Sequence, residues 1–202
     1  MIIVTGVDAS GTSAIVRALI DIGIVFPKPY TFDPSFENVE ARTINDMIML
    51  DLTGSKWGRF PSYKKLVQYK TDIVKDFPNI NWKDPRACVT LPVWRDKNPR
   101  VIWVKRSPYD IASSWLKRKK LYPRPGYNSR RTIYDYIVRM EGFLFLTLGR
   151  YEIPWHVAVY EDWYKDRDIA RIRQTIHFCG TNRRDPIIRR MLDNMHQPEN
   201  RG

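Results

Sequence analysis

A chain of 202 residues, 43% of them hydrophobic, has the length and apolar content for one domain with a sizeable core, which excludes wholesale disorder. A formal net charge of +12 implies an anionic ligand or partner: a phosphorylated cofactor, an acidic substrate, nucleic acid or a membrane surface. No apolar run reaches the length of a membrane span, and Met1 leads straight into a strand pattern. The expectation is therefore a cytoplasmic, single-domain chain over 1–202.

Ile2, Ile3 and Val4 are a short β-branched run and predict a buried strand. Gly6 to Gly11 follow as a turn. Thr12 or Ser13 then caps a helix with apolar positions Ile15, Val16, Leu19, Ile20 and Ile22. Strand, glycine loop and helix start form a phosphate cradle, because backbone N–H groups and the helix dipole meet at one spot. An ordinary βα turn with a well-capped helix would read the same way. A triphosphate P-loop is G-x-x-x-x-G-K-[ST], and Thr12 stands at its lysine position. That counts against ATP or GTP hydrolysis, but not against holding a phosphate through N–H groups and hydroxyls.

The Pro- and aromatic-rich stretch 26–36 predicts a loop over the mouth of the cradle, and 37–52 predicts a helix. A further helix is expected from Ser62 to about Phe77, closed by Pro78. A second strand is placed at 80–82, followed by Lys83-Asp84-Pro85-Arg86 and a helix over 89–94. Val101 to Val104 predicts a third strand, and Pro108 suits the first turn of a helix to about Arg118. Residues 117–131 carry seven basic residues among Pro and Gly, which predicts an exposed loop that could close over a nucleotide, meet an anionic acceptor or simply be a solvated basic loop. Helices over 132–148, 169–178 and 186–195, and a fourth strand at 155–159, complete the chain. Tyr160 and Trp163 follow that last strand, Trp163 as a packing residue. Cys88 and Cys179 lie in apolar helical sequence and predict buried free thiols. His156, His177 and His196 are isolated, so no metal site is expected.

Short apolar strands alternating with helices predict an α/β fold: a three-layer sandwich with a central parallel sheet and helices on both faces. Ligands in such folds sit beyond the C-terminal strand ends. The glycine loop, Lys83 to Arg86, Arg106-Ser107 and Tyr160-Glu161 all leave strand ends and would converge there. Arg106 and Ser114 could grip a second phosphate through a guanidinium and a hydroxyl. Taken alone, they read equally well as a solvated arginine and a helix serine bonded to its own turn.

Several stretches in order, TGVDASGTS, SFENVEARTINDMIMLDL, NWKDPR, VIWVKRSPYDIASS, VAVYEDW and Phe178-Cys179-Gly180, resemble the P-loop sulfotransferase family, and most closely its bacterial and phage-type members. The resemblance covers about residues 1–180. It implies use of 3′-phosphoadenylyl sulfate (PAPS), with the bisphosphate PAP as product. It implies that Ser10, Gly11, Thr12 and Ser13 hold the 5′-phosphosulfate, and that Arg106 and Ser114 hold the 3′-phosphate. Lys83 then matches the lysine of the family's KDP motif, near the transferring sulfate, and Glu37 the acceptor-side glutamate.

The chemistry asks for such parts on its own account. Sulfuryl transfer, like phosphoryl transfer, rests on positioning and on stabilising spread negative charge. Lys83 could neutralise the leaving oxygen and Glu37 could take the acceptor's proton. Lys83 pairing with Asp84, and Glu37 as a first-turn carboxylate favoured by the helix dipole, are the plainer alternatives. One departure is clear: the family usually has a cation just before the SGT, and this chain has Ala9, preceded by Asp8. A carboxylate about 4 Å from a phosphate costs about 4 kcal/mol at an effective dielectric near 20. Asp8 is therefore expected to point away, pair with Lys83 or Arg86, or serve the acceptor. The competing functions are a nucleotide kinase, a basic nucleic-acid-binding module, and a catalytically impaired relative that still binds the nucleotide. The acceptor, whether carbohydrate, protein tyrosine or small molecule, is not written in the sequence, and neither is the oligomeric state.

Overall fold

A computed structural model of the chain describes residues 1–27, 36–56, 58–118, 127 and 129–195. Four strands, β1 (Ile2–Thr5), β2 (Trp82–Lys83), β3 (Arg100–Lys105) and β4 (Trp155–Val159), form one parallel sheet in the order β2-β1-β3-β4. Around it stand α1 (Thr12–Asp21), α2 (Val39–Thr53), α3 (Tyr63–Gln68), α4 (Asp72–Asp76), α5 (Ala87–Trp94), α6 (Pro108–Arg118), α7 (Arg130–Arg150), α8 (Tyr160–Tyr164), α9 (Ile169–Phe178) and α10 (Asp185–Met195).

Successive strand side chains point to opposite faces, and both faces here are apolar. Ile3, Trp82, Val101 and Trp103 pack with residues of α2 to α7. Ile2, Val4, Ile102, Val104 and Ala158 pack with α1, α8, α9 and α10. The expected three-layer α/β sandwich is therefore the architecture observed. No helix among the described residues is long and apolar enough to cross a membrane.

Local departures from the sequence reading have identifiable causes. Neither Thr12 nor Ser13 caps α1; the N-cap is Gly11, with φ +94°, and no side chain caps the helix. The helix expected at 37–52 begins at Val39, because the Asn38 side chain accepts from the Ala41 N–H. Glu37 thus lies before the cap, and Glu40 holds the first-turn position. The helix expected over 62–77 is divided into α3 and α4 by extended backbone at Tyr69 and Thr71, where the Tyr69 hydroxyl reaches Asp51 Oδ2 at 2.5 Å. The second strand is Trp82–Lys83 rather than 80–82, with the Asn81 side chain accepting from the Ile2 N–H just before it. A short helix, α8, follows β4 directly. Helix α7 starts two residues earlier than expected, from a Ser129–Thr132 capping box.

Cys88 is fully buried against Thr5, whereas Cys179 is the half-buried C-cap residue of α9. Burial pushes both thiols up to about 12, so they are protonated and unreactive at neutral pH. Most of the loops expected at 26–36 and 117–131 lies outside the described residues.

Candidate functional site

The sheet order makes β1 the point from which the chain goes to β2 on one side and then to β3 on the other. A crevice opens at such a switch point, beyond the C-terminal strand ends. Thr5, Lys83, Lys105 and Val159 end the four strands, so the loops that follow them share one edge. The expected convergence is present, and it falls into two halves.

The first half is the glycine loop. Ser10 N–H closes a tight turn onto the Val7 carbonyl at 2.8 Å, and Ala9 adopts a left-handed φ of 67°. A Cβ at Gly6 would lie 2.4 Å from the Val104 carbonyl and 2.6 Å from Ser10 Oγ, so only glycine lets the loop fold down on β3. Ser10 is buried, and its hydroxyl finds no hydrogen-bond partner among the described residues. Thr12 is the buried first residue of α1. Across the crevice, Arg106 donates from Nη1 to the Ala9 carbonyl at 3.0 Å, while its buried Nε has no hydrogen-bond partner among those residues. Its guanidinium carbon lies 4.5 Å from the centre of the Tyr160 ring. Ser114 sits two turns into α6, half-buried, and forms no hydrogen bond with Arg106.

The second half is a buried ionic network beside β2. Asp84 is fully buried, and three groups hold it: the Arg86 guanidinium at 2.7 Å, the Arg86 backbone N–H at 2.9 Å and the Asn45 side chain at 2.9 Å. Arg86 also meets Asp46 at 2.7 Å and Glu37 at 3.9 Å. Burial pulls the Arg86 guanidinium's pKa down, but Asp84, Asp46 and Glu37 outweigh it, so the group stays firmly charged. Helix spacing explains the assembly. Arg86, Thr90 and Trp94 stand four residues apart along α5, and all address α2: Arg86 through Asp46, Thr90 and Trp94 through the Asn45 amide oxygen at 2.7 and 2.9 Å.

Lys83 joins the halves. Its ammonium, almost fully buried, donates to Ser13 Oγ at 3.2 Å and to Glu37 Oε1 at 3.3 Å. The plainer alternative, Lys83 paired with Asp84, is not what forms, because Arg86 and Asn45 already occupy Asp84. Glu37 also faces Arg42 at 3.6 Å. Burial holds the Glu37 carboxyl above the usual range. Lys83 and Arg86 pull it back down, while Asp84 and Asp8 push it further up. Asp8 thus lies near enough to Glu37 for its charge to act on it.

Lys83, Glu37 and Ser13 are therefore tied together at the same strand-end edge as Gly11 and Arg106, and Ser114, on α6, makes no hydrogen bond to them in the ligand-free chain. The sequence reading missed Asn45, Asp46 and Arg86 as a network and Tyr160 as a partner of the loop. The polar pair Asn45-Asp46 within the apolar pattern of α2 was the available signal for the first. No protein-family model and no curated protein matches this chain.

Proposed function

We propose that the chain is a sulfuryl-transfer enzyme that uses PAPS and passes the group to a hydroxyl or amine. One observation carries the reading. Lys83 Nζ stands between a hydroxyl of the glycine loop and a carboxylate with a raised pKa, 3.2 and 3.3 Å away. This brings a cation for a leaving oxygen and a base for an incoming hydroxyl to the same point. Lys83 also supplies the charge that neither Thr12 nor Ala9 gives the loop.

The residues fit a ligand with phosphates at both ends of a ribose. The buried Ser10 hydroxyl and Arg106 Nε both lack hydrogen-bond partners among the described residues, and such groups are costly unless a ligand satisfies them. Ser10, Gly11, Thr12 and Ser13 would hold the 5′ end, and Arg106 the 3′-phosphate. Bound PAPS supplies the sulfuryl group. Glu37 accepts the acceptor's proton on its carboxylate. Lys83 donates to the oxygen on which negative charge grows, and the buried surroundings strengthen that contact. Arg86, fixed by Asp84 and Asp46, keeps the Glu37 carboxylate in place.

The test is a melting experiment. PAP at 100 times its dissociation constant adds about 2.7 kcal/mol of stability. ATP should give a much smaller shift, and Arg106→Ala should lose most of the PAP shift. A shift of that size with ATP, and none with PAP, would instead support the nucleotide-kinase alternative.

A further inference from the structure

We propose that Tyr160 is a positioning residue that makes the glycine loop and Arg106 act as a single anion grip. Three contacts close a ring. The edge of the Tyr160 ring lies against the Gly11 backbone so closely that a Cβ there would come within 2.1 Å of Cδ2 and 2.5 Å of Cε2. The Arg106 guanidinium lies 4.5 Å from the centre of the same ring. Arg106 then returns to the loop through its hydrogen bond to the Ala9 carbonyl. No member of this ring can move far without the other two.

The support behind Tyr160 is equally specific. Its ring stacks on Tyr164 at 4.5 Å, with planes 15° apart. The next residue, Glu161, accepts from the Ser107 N–H at 3.0 Å, and Lys165 donates to Asp110 at 3.1 Å. Helix α8 is thus pinned to the β3–α6 junction on one side, while Tyr160 reaches the β1 loop on the other. Burial raises the Tyr160 phenol above its ordinary value, against the pull of Arg106, so the ring is neutral at pH 7 and meets the guanidinium as a ring face. A long arginine would otherwise sample many rotamers, and this stack holds Arg106 at the loop before any ligand arrives. An anion held by the loop and one held by Arg106 therefore reinforce each other when both belong to one molecule.

The ligand used in the test rests on the PAPS reading; the ring of contacts does not. Calorimetric titrations would compare PAP with AMP, which lacks the 3′-phosphate, in the wild type, Tyr160→Phe, Tyr160→Leu, Arg106→Ala and the Tyr160→Leu/Arg106→Ala double variant. Tyr160→Leu keeps the bulk but loses the ring face. Its preference for PAP over AMP should fall by about tenfold or more, the worth of one charge-assisted hydrogen bond. Tyr160→Phe should retain the preference, and the double variant should lose no more than Arg106→Ala alone. Additive losses, or an intact preference in Tyr160→Leu, would overturn the proposal. If the wild type binds neither nucleotide, the PAPS reading fails by itself. Amide exchange at residues 9–12 in ligand-free protein then decides the Tyr160 proposal. Exchange must quicken in both Tyr160→Leu and Arg106→Ala, and unchanged exchange would overturn it.

Discussion

Two arginines that follow strand ends at the same edge of the sheet stand in opposite conditions. Arg86 is almost fully buried, and Asp84, Asp46 and Glu37 all lie within 3.9 Å of it. Arg106 is half-buried and has a carbonyl and an aromatic ring for company, with Nε lacking a hydrogen-bond partner among the described residues. A buried charge that its own protein has already neutralised has little left to offer a ligand. A charge held in place by neutral groups keeps its field for whatever arrives. The first arginine therefore builds the site, and the second is suited to receive an anion.

Substitution of Arg86 gives the sharpest contrast. Arg86→Ala leaves the fully buried Asp84 without its cation and Asp46 with only Lys56, 3.5 Å away, and removing one partner of a buried pair costs about 3–5 kcal/mol. Urea unfolding should register that loss, whereas Arg106→Ala, which strands no carboxylate, should change unfolding stability by far less. If the two variants unfold alike, the division between a structural and a receptive arginine does not hold.

Lys83 tests the seam between the halves. Removing a donor that stabilises developing charge in a buried site typically lowers kcat by about 10²–10³. Lys83→Ala should show that loss of turnover while keeping much of the PAP-induced melting shift, since the loop hydroxyls and Arg106 remain. A collapse of nucleotide binding with no separate effect on kcat would assign Lys83 to the loop half alone.

The fold was legible because its signals are local. The runs at Ile2 to Val4, Val101 to Val104 and Trp155 to Val159 are strands on their own account, and three-layer packing follows from their apolar faces. The two-residue β2 was displaced because its pairing is fixed by Asn81 reaching Ile2, far away in sequence. Of the site, the glycine loop, Lys83 and Arg106 could be read because each leaves a strand end. Asn45 and Asp46 could not be assigned a partner, since polar residues on an amphipathic helix look like a solvated face until α5 is known to lie against it. Tyr160 could be placed at the same edge, but its contact with the loop could not be read, for a related reason. Its significance depends on how closely it approaches the backbone at Gly11, and no spacing rule reports a contact between the helix after the fourth strand and the first loop.

Glu37 is where the two halves compete, and its protonation should reveal which dominates. Burial raises its pKa. The cations Lys83 and Arg86 draw it down, and Asp84 and Asp8 raise it again, with a net shift upward from 4.5. As the proposed base, Glu37 would work only when deprotonated, so the acid limb of kcat/KM should lie above pH 4.5 and vanish in Glu37→Gln. The same shift fixes the sign of the stability effect. Between 4.5 and the raised value the folded chain binds more protons than the unfolded one. Glu37's contribution is therefore fully present below 4.5 and is lost as pH rises through the folded value. The stability of the wild type minus that of Glu37→Gln should fall across that window and be flat above it, as urea unfolding at stepped pH would measure. An acid limb at or below 4.5, with a stability difference that rises with pH, would mean that Lys83 and Arg86 outweigh burial. Glu37 would then belong to the structural network around Arg86, and the base would have to be sought elsewhere in the crevice.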